Sequence, residues 1–248
     1  RLKLFERLTS FIYDNQRQHA LEYLHNNTIT GRTTIKKGLN LITLKKEYRK
    51  KLKSKYVGGA IIEIDIKSLE PRLFLSLVKN IEVEDAYTFL LTEVLKYKVG
   101  DIDRNKIKLA FISLLYGAST QKIRSMTQLS TIDINKIKKF LGVKDLEQKI
   151  VNEYQQGNFF ENAYGRRISS INAPVNYYIQ STAADYACII YEQLLQNISS
   201  TGIDLIGTIH DAIILDCQED KIDEVMAVSS LTEQILNITS YFKVVRHS

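Results

Sequence analysis

The chain contains no tryptophan, two prolines, two cysteines and eleven glycines in 248 residues. The cysteines, Cys188 and Cys217, offer no metal-ligand spacing and no disulfide framework. A reduced compartment fits, and each reads as a small buried hydrophobe. So few prolines and glycines leave no low-complexity linker, and no repeat is visible. No stretch approaches the ~20 apolar residues of a membrane span. The opening RLKLFERLTSFIYDNQ has acids and amides where a signal peptide has its apolar core. These absences exclude a disulfide scaffold and a membrane-spanning helix, and the expectation is an intracellular protein.

What remains is an ordinary globular composition, 44% hydrophobic and 25% charged, enough for one large domain or two small ones. The formal charge is +6, which suits a polyanionic partner without proving one. The excess is uneven. Residues 36–55, KKGLNLITLKKEYRKKLKSK, are strongly basic, whereas DCQEDKIDEVM at 216–226 is acidic. The basic run reads equally well as a solvated face or as a phosphate-backbone contact.

Residues 1–26 read as a helix, with Leu4, Leu8, Phe11 and Ile12 on one face. GGAIIEID at 58–65 reads as a strand, and Ser68–Asn80 as a helix with Ser68 as N-cap and Pro71 in its first turn. Residues 84–98 and 103–116 read as two further helices, the second capped by Asp103 and ended by Gly117. A mixed, mainly helical stretch follows at 119–155, then the turn-rich AYGRRISSINAP, then a long helix from Pro174. DLIGTIHDAIILDC reads as strand, two-residue turn and strand. An amphipathic helix at 219–237 and a short terminal strand, YFKVVRHS, complete the chain. The expected fold class is α+β, an antiparallel sheet with segregated helices.

Four constellations carry chemistry. Asp65 stands where an apolar strand ends before a helix, with Glu63 on the same strand face. Alone it reads as a cap or a solvated turn. Asp211 lies at the tip of a hairpin between apolar strands. If the two strands are neighbours, their carboxylates approach and repel unless cations intervene. A pair of Mg²⁺ ions, about 3.5–4 Å apart, would remove that difficulty in phosphoryl transfer. Arg104, Lys108, Ile112 and Tyr116 step by four residues, and a drift of ~40° per step makes them one slanted helical stripe. Cations near a helix N-terminus oppose the macrodipole, so an anion is expected there, such as a nucleoside triphosphate. Asn176 and Gln180 share one face of the long helix, where amides can reach minor-groove acceptors.

In this order and spacing the four resemble family A DNA polymerases. The first motif, D-x-S-x-x-E-x-R, is matched by DIKSLEPR, with Asp65, Glu70 and Arg72 in register and Lys67 in the serine position. The second is matched by Arg104, Lys108, Tyr116 and Gly117, and the third, H-D-E, by His210, Asp211 and Ala212. Asn176 and Gln180 match the N-x-x-x-Q helix, GRRI at 165–168 is similar to phage-type members, and TGRTTIKKGLNL points to Arg32. The resemblance covers roughly residues 20–248. It implies a right-hand polymerase. Residues 1–26 would be a helical thumb base or remnant, 27–80 and 156–248 the palm, and 81–155 the fingers.

By that resemblance, Asp65, Asp211 and the backbone carbonyl of Ile66 would bind two Mg²⁺ ions, with Mn²⁺ as a substitute. Arg104 and Lys108 would hold a dNTP triphosphate, and Lys108 would protonate the leaving pyrophosphate. Ile112, Tyr116, Glu70 and Tyr87 would line the nucleotide site, Glu70 as steric gate against a ribose 2′-OH. Arg32, Arg72, Arg167, Asn176, Gln180 and His210 would contact the primer–template. The site of action would be cytoplasm or nucleoid, or a viral or organellar setting, with no membrane partner.

The sequence also departs from the family. Ile112 stands where Phe or Tyr is usual, Ala212 replaces a carboxylate, and Tyr87 stands where a phosphate-contacting His is frequent. Only 57 residues precede Gly58, and no exonuclease acid cluster is visible. The expectation is weak, distributive synthesis, a partner chain supplying thumb, processivity or exonuclease function, or a fragment of a longer polymerase. Two other readings stay open. One is a single-subunit RNA polymerase, opposed by Glu70. The other is a non-catalytic nucleic-acid-binding remnant, opposed by the retention of both Asp65 and Asp211.

Overall fold

The computed structural model describes residues 21–24, 27–198 and 201–247. Its strands are β1 (Glu22–Leu24), β2 (Thr34–Lys37), β3 (Ala60–Ile66), β4 (Phe160–Glu161), β5 (Arg167–Ile168), β6 (Ile203–Ile209), β7 (Ala212–Cys217), β8 (Ser230–Glu233) and β9 (Ile238–Arg246). Its α-helices are α1 (Lys46–Arg49), α2 (Leu69–Lys79), α3 (Ala86–Phe89), α4 (Arg104–Leu115), α5 (Thr120–Thr127), α6 (Thr131–Leu141), α7 (Val143–Gly157), α8 (Pro174–Asn197) and α9 (Ile222–Met226). The α+β expectation holds. The chain divides into two compact units, one of residues 1–65, 191–229 and 242–248, the other of 66–190 and 230–241.

The first unit is built on antiparallel strands in the order β6-β7-β3-β9. β3 has neighbours on both edges, and its residues are buried except Asp65. That explains its nearly unbroken apolar run: a strand enclosed on both faces needs no polar alternation. The buried carboxylate of β3, Glu63, is met by His247 at 2.9 Å and by Arg49 at 3.4 Å. A buried carboxylate without such partners would cost several kcal/mol. β6 is bulged between Leu205 and Gly207. Tyr23 enters there, its hydroxyl accepting from Thr208 N at 2.7 Å and donating to Thr208 O at 3.1 Å. A Cβ on Gly207 would lie 2.6 Å from that hydroxyl, so the close approach requires glycine. Leu41, Leu44, Ile61, Ile209, Ala212 and Ile214 form the core beneath.

The second unit is mainly helical, with a core that includes Phe74, Tyr87, Ile107, Phe111, Leu114 and Ile179. α4 begins at Asp103, whose side chain accepts from Asn105 N at 2.9 Å. It ends in a Schellman motif: Ala118 N donates to Ser113 O, Gly117 N donates to Leu114 O, and Gly117 takes φ +73°. Both ends are therefore set locally, as the sequence predicts. β8 pairs with the first residues of β9 in this unit.

Four expectations need correction. Cys217 is buried as expected, but Cys188 is exposed. The helix over 1–26 lies outside the described residues as far as residue 20, and Glu22–Leu24 are a strand paired with β2. The helix at 219–237 is broken into a 3₁₀ turn, the five-residue α9 and then strand β8. The buried Glu233 carboxylate accepts from Ile235 N and Leu236 N, and Asn237 takes φ +54°, so the chain turns into a hairpin instead. Ser68 precedes α2 but does not cap it through its side chain, because it sits in the left-handed region at φ 51°.

Candidate active site

Asp65 and Asp211 both belong to the first unit. β3 pairs with β7 so that Asp65 lies opposite Ala212, the residue next to Asp211. That pairing places the two Asp Cα atoms roughly 6 Å apart. The β6–β7 hairpin closes through His210 and Asp211, with Ile209 paired to Ala212 and His210 in the left-handed region at φ 50°. Both aspartates are half-buried, and His210 is exposed. One side chain pins the arrangement. The buried Tyr191 hydroxyl lies 2.6 Å from Asp211 O and 3.0 Å from Ile64 O, so it ties the turn to the strand that carries Asp65. No sequence signal points to Tyr191, which sits inside a continuous helical pattern.

The second unit holds the basic stripe. Arg104, Lys108 and Tyr116 are exposed and Ile112 is half-buried, while Ile107, Ala110, Phe111 and Leu114 turn inward. The stripe is thus the outer face of α4. Arg104 is already paired: its Nε and Nη2 donate to the Asp85 carboxylate at 2.6 and 3.0 Å. Its guanidinium lies 4.7 Å from the Tyr87 ring centroid. Burial tends to raise the Asp85 carboxyl, but hydrogen bonds from Arg104, Tyr87 N and Thr88 outweigh it and leave the group below its usual range. Lys108 makes no ion pair with any described residue. At the far end of the helix, the Tyr116 hydroxyl donates to Glu70, and Gln180 Nε2 reaches the same hydroxyl at 3.4 Å. Three residues expected at the site are therefore joined in one chain of hydrogen bonds.

Asn176 lies one turn before Gln180 on α8, and its buried Oδ1 has no hydrogen-bond partner among the described residues. Tyr87 and Arg72 depart from expectation. Tyr87 is 2% exposed and stacks edge-on against Phe111, so it cannot reach a phosphate as the expected histidine would. Burial pushes its phenol up to about 12. Arg72 is 4% exposed, donates to Val83 O and Thr239 O, and lies over the Tyr241 ring. A guanidinium committed to internal carbonyls holds the fold rather than DNA. Arg167 is exposed on β5, over the Phe159 ring and 3.3 Å from Glu161. Arg32 is half-buried in the loop before β2. Ile66 is buried at the end of β3.

The carboxylate pair offers hard oxygen donors of the kind Mg²⁺ takes together with water and phosphate. Among the described residues no three His, Cys, Asp or Glu side chains gather into a metal cluster. Ala212, opposite Asp65, adds no carboxylate to the pair. The residues fit a cation that completes its shell with substrate and water, not an all-protein cage. No described helix is long and apolar enough to cross a membrane.

The sequence profile of DNA polymerase family A matches residues 2–244. DNA polymerase I of Aquifex aeolicus (strain VF5) is 24% identical over 198 residues, which are 69% of this chain and 34% of that protein. Among solved structures, the POL domain of Pol1 from M. smegmatis, in complex with DNA primer-template and dNTP, matches with a TM-score of 0.71 at 17% identity. The match covers 98% of this chain and 50% of that one. The chain thus spans about a third of the curated relative and half of the solved one.

Proposed function

Because this chain belongs to DNA polymerase family A, we propose that it adds dNTPs to a primer 3′ end as a template-directed DNA polymerase. The observation that carries the proposal is the pinned pair: Asp65 and Asp211 on adjoining backbone positions, with the turn fixed by Tyr191. Binding alone does not require two carboxylates where a phosphate backbone would approach, since they repel it. With divalent cations bound, Asp65, Asp211 and the Ile66 carbonyl would supply two-metal stabilisation of the attacking and leaving oxygens.

The other residues position and neutralise. The primer hydroxyl attacks the α-phosphate of the dNTP, and pyrophosphate leaves. Lys108, exposed and cationic, holds the triphosphate and gives a proton to the leaving oxygen. Arg104 binds the triphosphate through the edge that Asp85 leaves open. Glu70, held by Tyr116, stands as the gate against a ribose 2′-OH, and Ile112 packs near the incoming sugar. Asn176, whose Oδ1 has no partner among the described residues, Gln180, Arg32 and Arg167 serve the primer–template, and His210 the primer terminus. Residues 27–80 and 156–248 act as palm and 81–155 as fingers. A partner chain or further segment supplying thumb, processivity or exonuclease function belongs to the same proposal, as does weak, distributive synthesis by this chain alone.

Ala212 favours one second reading, a remnant that binds nucleic acid without catalysis. Asp211→Ala separates the two. Extension that disappears while primer–template binding persists supports catalysis. A wild type that binds DNA but extends no primer with Mg²⁺ or Mn²⁺ supports the remnant.

A further inference from the structure

Asp85 is absent from every motif that led to the site, yet its carboxylate accepts five hydrogen bonds beside the basic stripe. Its Oδ1 accepts from Tyr87 N at 2.9 Å, Thr88 N at 3.3 Å and Arg104 Nη2 at 3.0 Å. Its Oδ2 accepts from Thr88 Oγ1 at 3.0 Å and Arg104 Nε at 2.6 Å. Three of these donors belong to the first turn of α3, so the carboxylate is fixed before Arg104 meets it. The guanidinium is then held on a second side, face-on to Tyr87. Tyr87 is itself wedged against Phe111 of α4 at 6.3 Å. A bidentate carboxylate and a ring together remove the rotamer freedom that makes an exposed arginine a poor point of attachment. One edge of the guanidinium stays outside the fork, and Nη1 makes no hydrogen bond with any described residue.

We propose that Asp85 is a positioning residue that presents the outer edge of Arg104 to the triphosphate of the incoming nucleotide. This rests on the polymerase reading and divides the labour along the stripe. Asp85 cancels most of the charge of Arg104, so Arg104 contributes direction, and the unpaired Lys108 contributes net charge. The cost of placing a cation at the first residue of α4 is offset by Asp85, so no nucleotide is needed to hold the helix N-terminus together.

The test is dNTP titration in steady-state primer extension with the whole chain. Asp85→Asn keeps the shape and the cap oxygen but loses the ionic fork. Asp85→Ser keeps a capping oxygen and cannot reach Arg104, so it guards against a mere folding defect. Both should raise KM for dNTP about tenfold, with kcat within about twofold and primer–template affinity unchanged. In an Arg104→Ala background, Asp85→Asn should add nothing further. A lowered KM would make Asp85 a competitor of the triphosphate and overturn the proposal. So would an unchanged KM, or an equal defect in the Arg104→Ala background, which would mark Asp85 as a helix cap only. A wild type that neither extends primers nor binds dNTP overturns the polymerase reading and this inference with it, an outcome distinct from active variants with unchanged KM.

Discussion

The hairpin of the first unit and the basic helix of the second hold their functional groups by opposite means. Asp65 and Asp211 are placed by backbone: strand pairing, a two-residue turn and one hydroxyl bonded to two carbonyls. Arg104, Lys108 and Tyr116 stand on an exposed helix face and are placed, where they are placed at all, by side-chain ion pairs and ring contacts. Backbone placement is insensitive to salt and pH, whereas exposed charges are screened increasingly as salt rises, the Debye length being about 8 Å at physiological salt. The difference suits the two tasks proposed: carboxylates that would bind metal need a fixed separation, and groups that would receive and release a nucleotide need to let go.

The largest effect expected is on the hairpin side. Asp65→Asn should reduce extension by roughly 10³-fold or more, with primer–template binding retained. Residual activity within tenfold of wild type would show that Asp65 does not carry the chemistry. Tyr191→Phe comes next. It deprives the Ile64 and Asp211 carbonyls of their hydroxyl, which should cost roughly 1–3 kcal/mol. In a melting experiment that is a loss of roughly 2–12 °C, and an unchanged Tm would remove Tyr191 as the pin. On the helix side, Lys108→Ala should raise KM for dNTP about tenfold, with the penalty shrinking as salt is added. A penalty independent of salt would mean that Lys108 acts other than as a charge.

The smallest effect is a pH dependence. Asp85 is held below the ordinary carboxylate value of 3.8. A depressed carboxylate contributes its stability above the unfolded value, so this contribution should be constant at neutral pH. It should be lost only as pH falls below 3.8 through the lower folded value. Comparing melting of wild type and Asp85→Asn across pH checks the sign: the gap should close on acidification. A gap that widens would contradict the assignment.

Local signals in the sequence carried the hairpin and α4, because their causes are local: β-branched runs around a two-residue turn, an Asp cap and a glycine in a Schellman motif. They could not carry the contacts between distant segments. A cation at the start of α4 calls for an anion, and within the chain Arg104 meets Asp85, nineteen residues upstream. Its one local signal was an acidic residue just before a helix. The false helix at 219–237 had good apolar spacing around Ile222 and Val225, overridden by Glu233 capping the turn before β9. Arg72 matched its motif, yet burial against Tyr241 and two carbonyls was invisible in spacing. The two compact units are built from discontinuous segments, which no boundary read along the chain could reveal.

The most direct test is incorporation of a single nucleotide by the wild-type chain on a primer–template with Mg²⁺. One arm supplies the complementary dNTP, another the matching NTP, and a third the dideoxy terminator. The expected result is one-nucleotide extension with the dNTP, little or none with the NTP because of Glu70, and a terminator efficiency set by Ile112. A chain that binds the primer–template yet adds no nucleotide with Mg²⁺ or Mn²⁺ would contradict it.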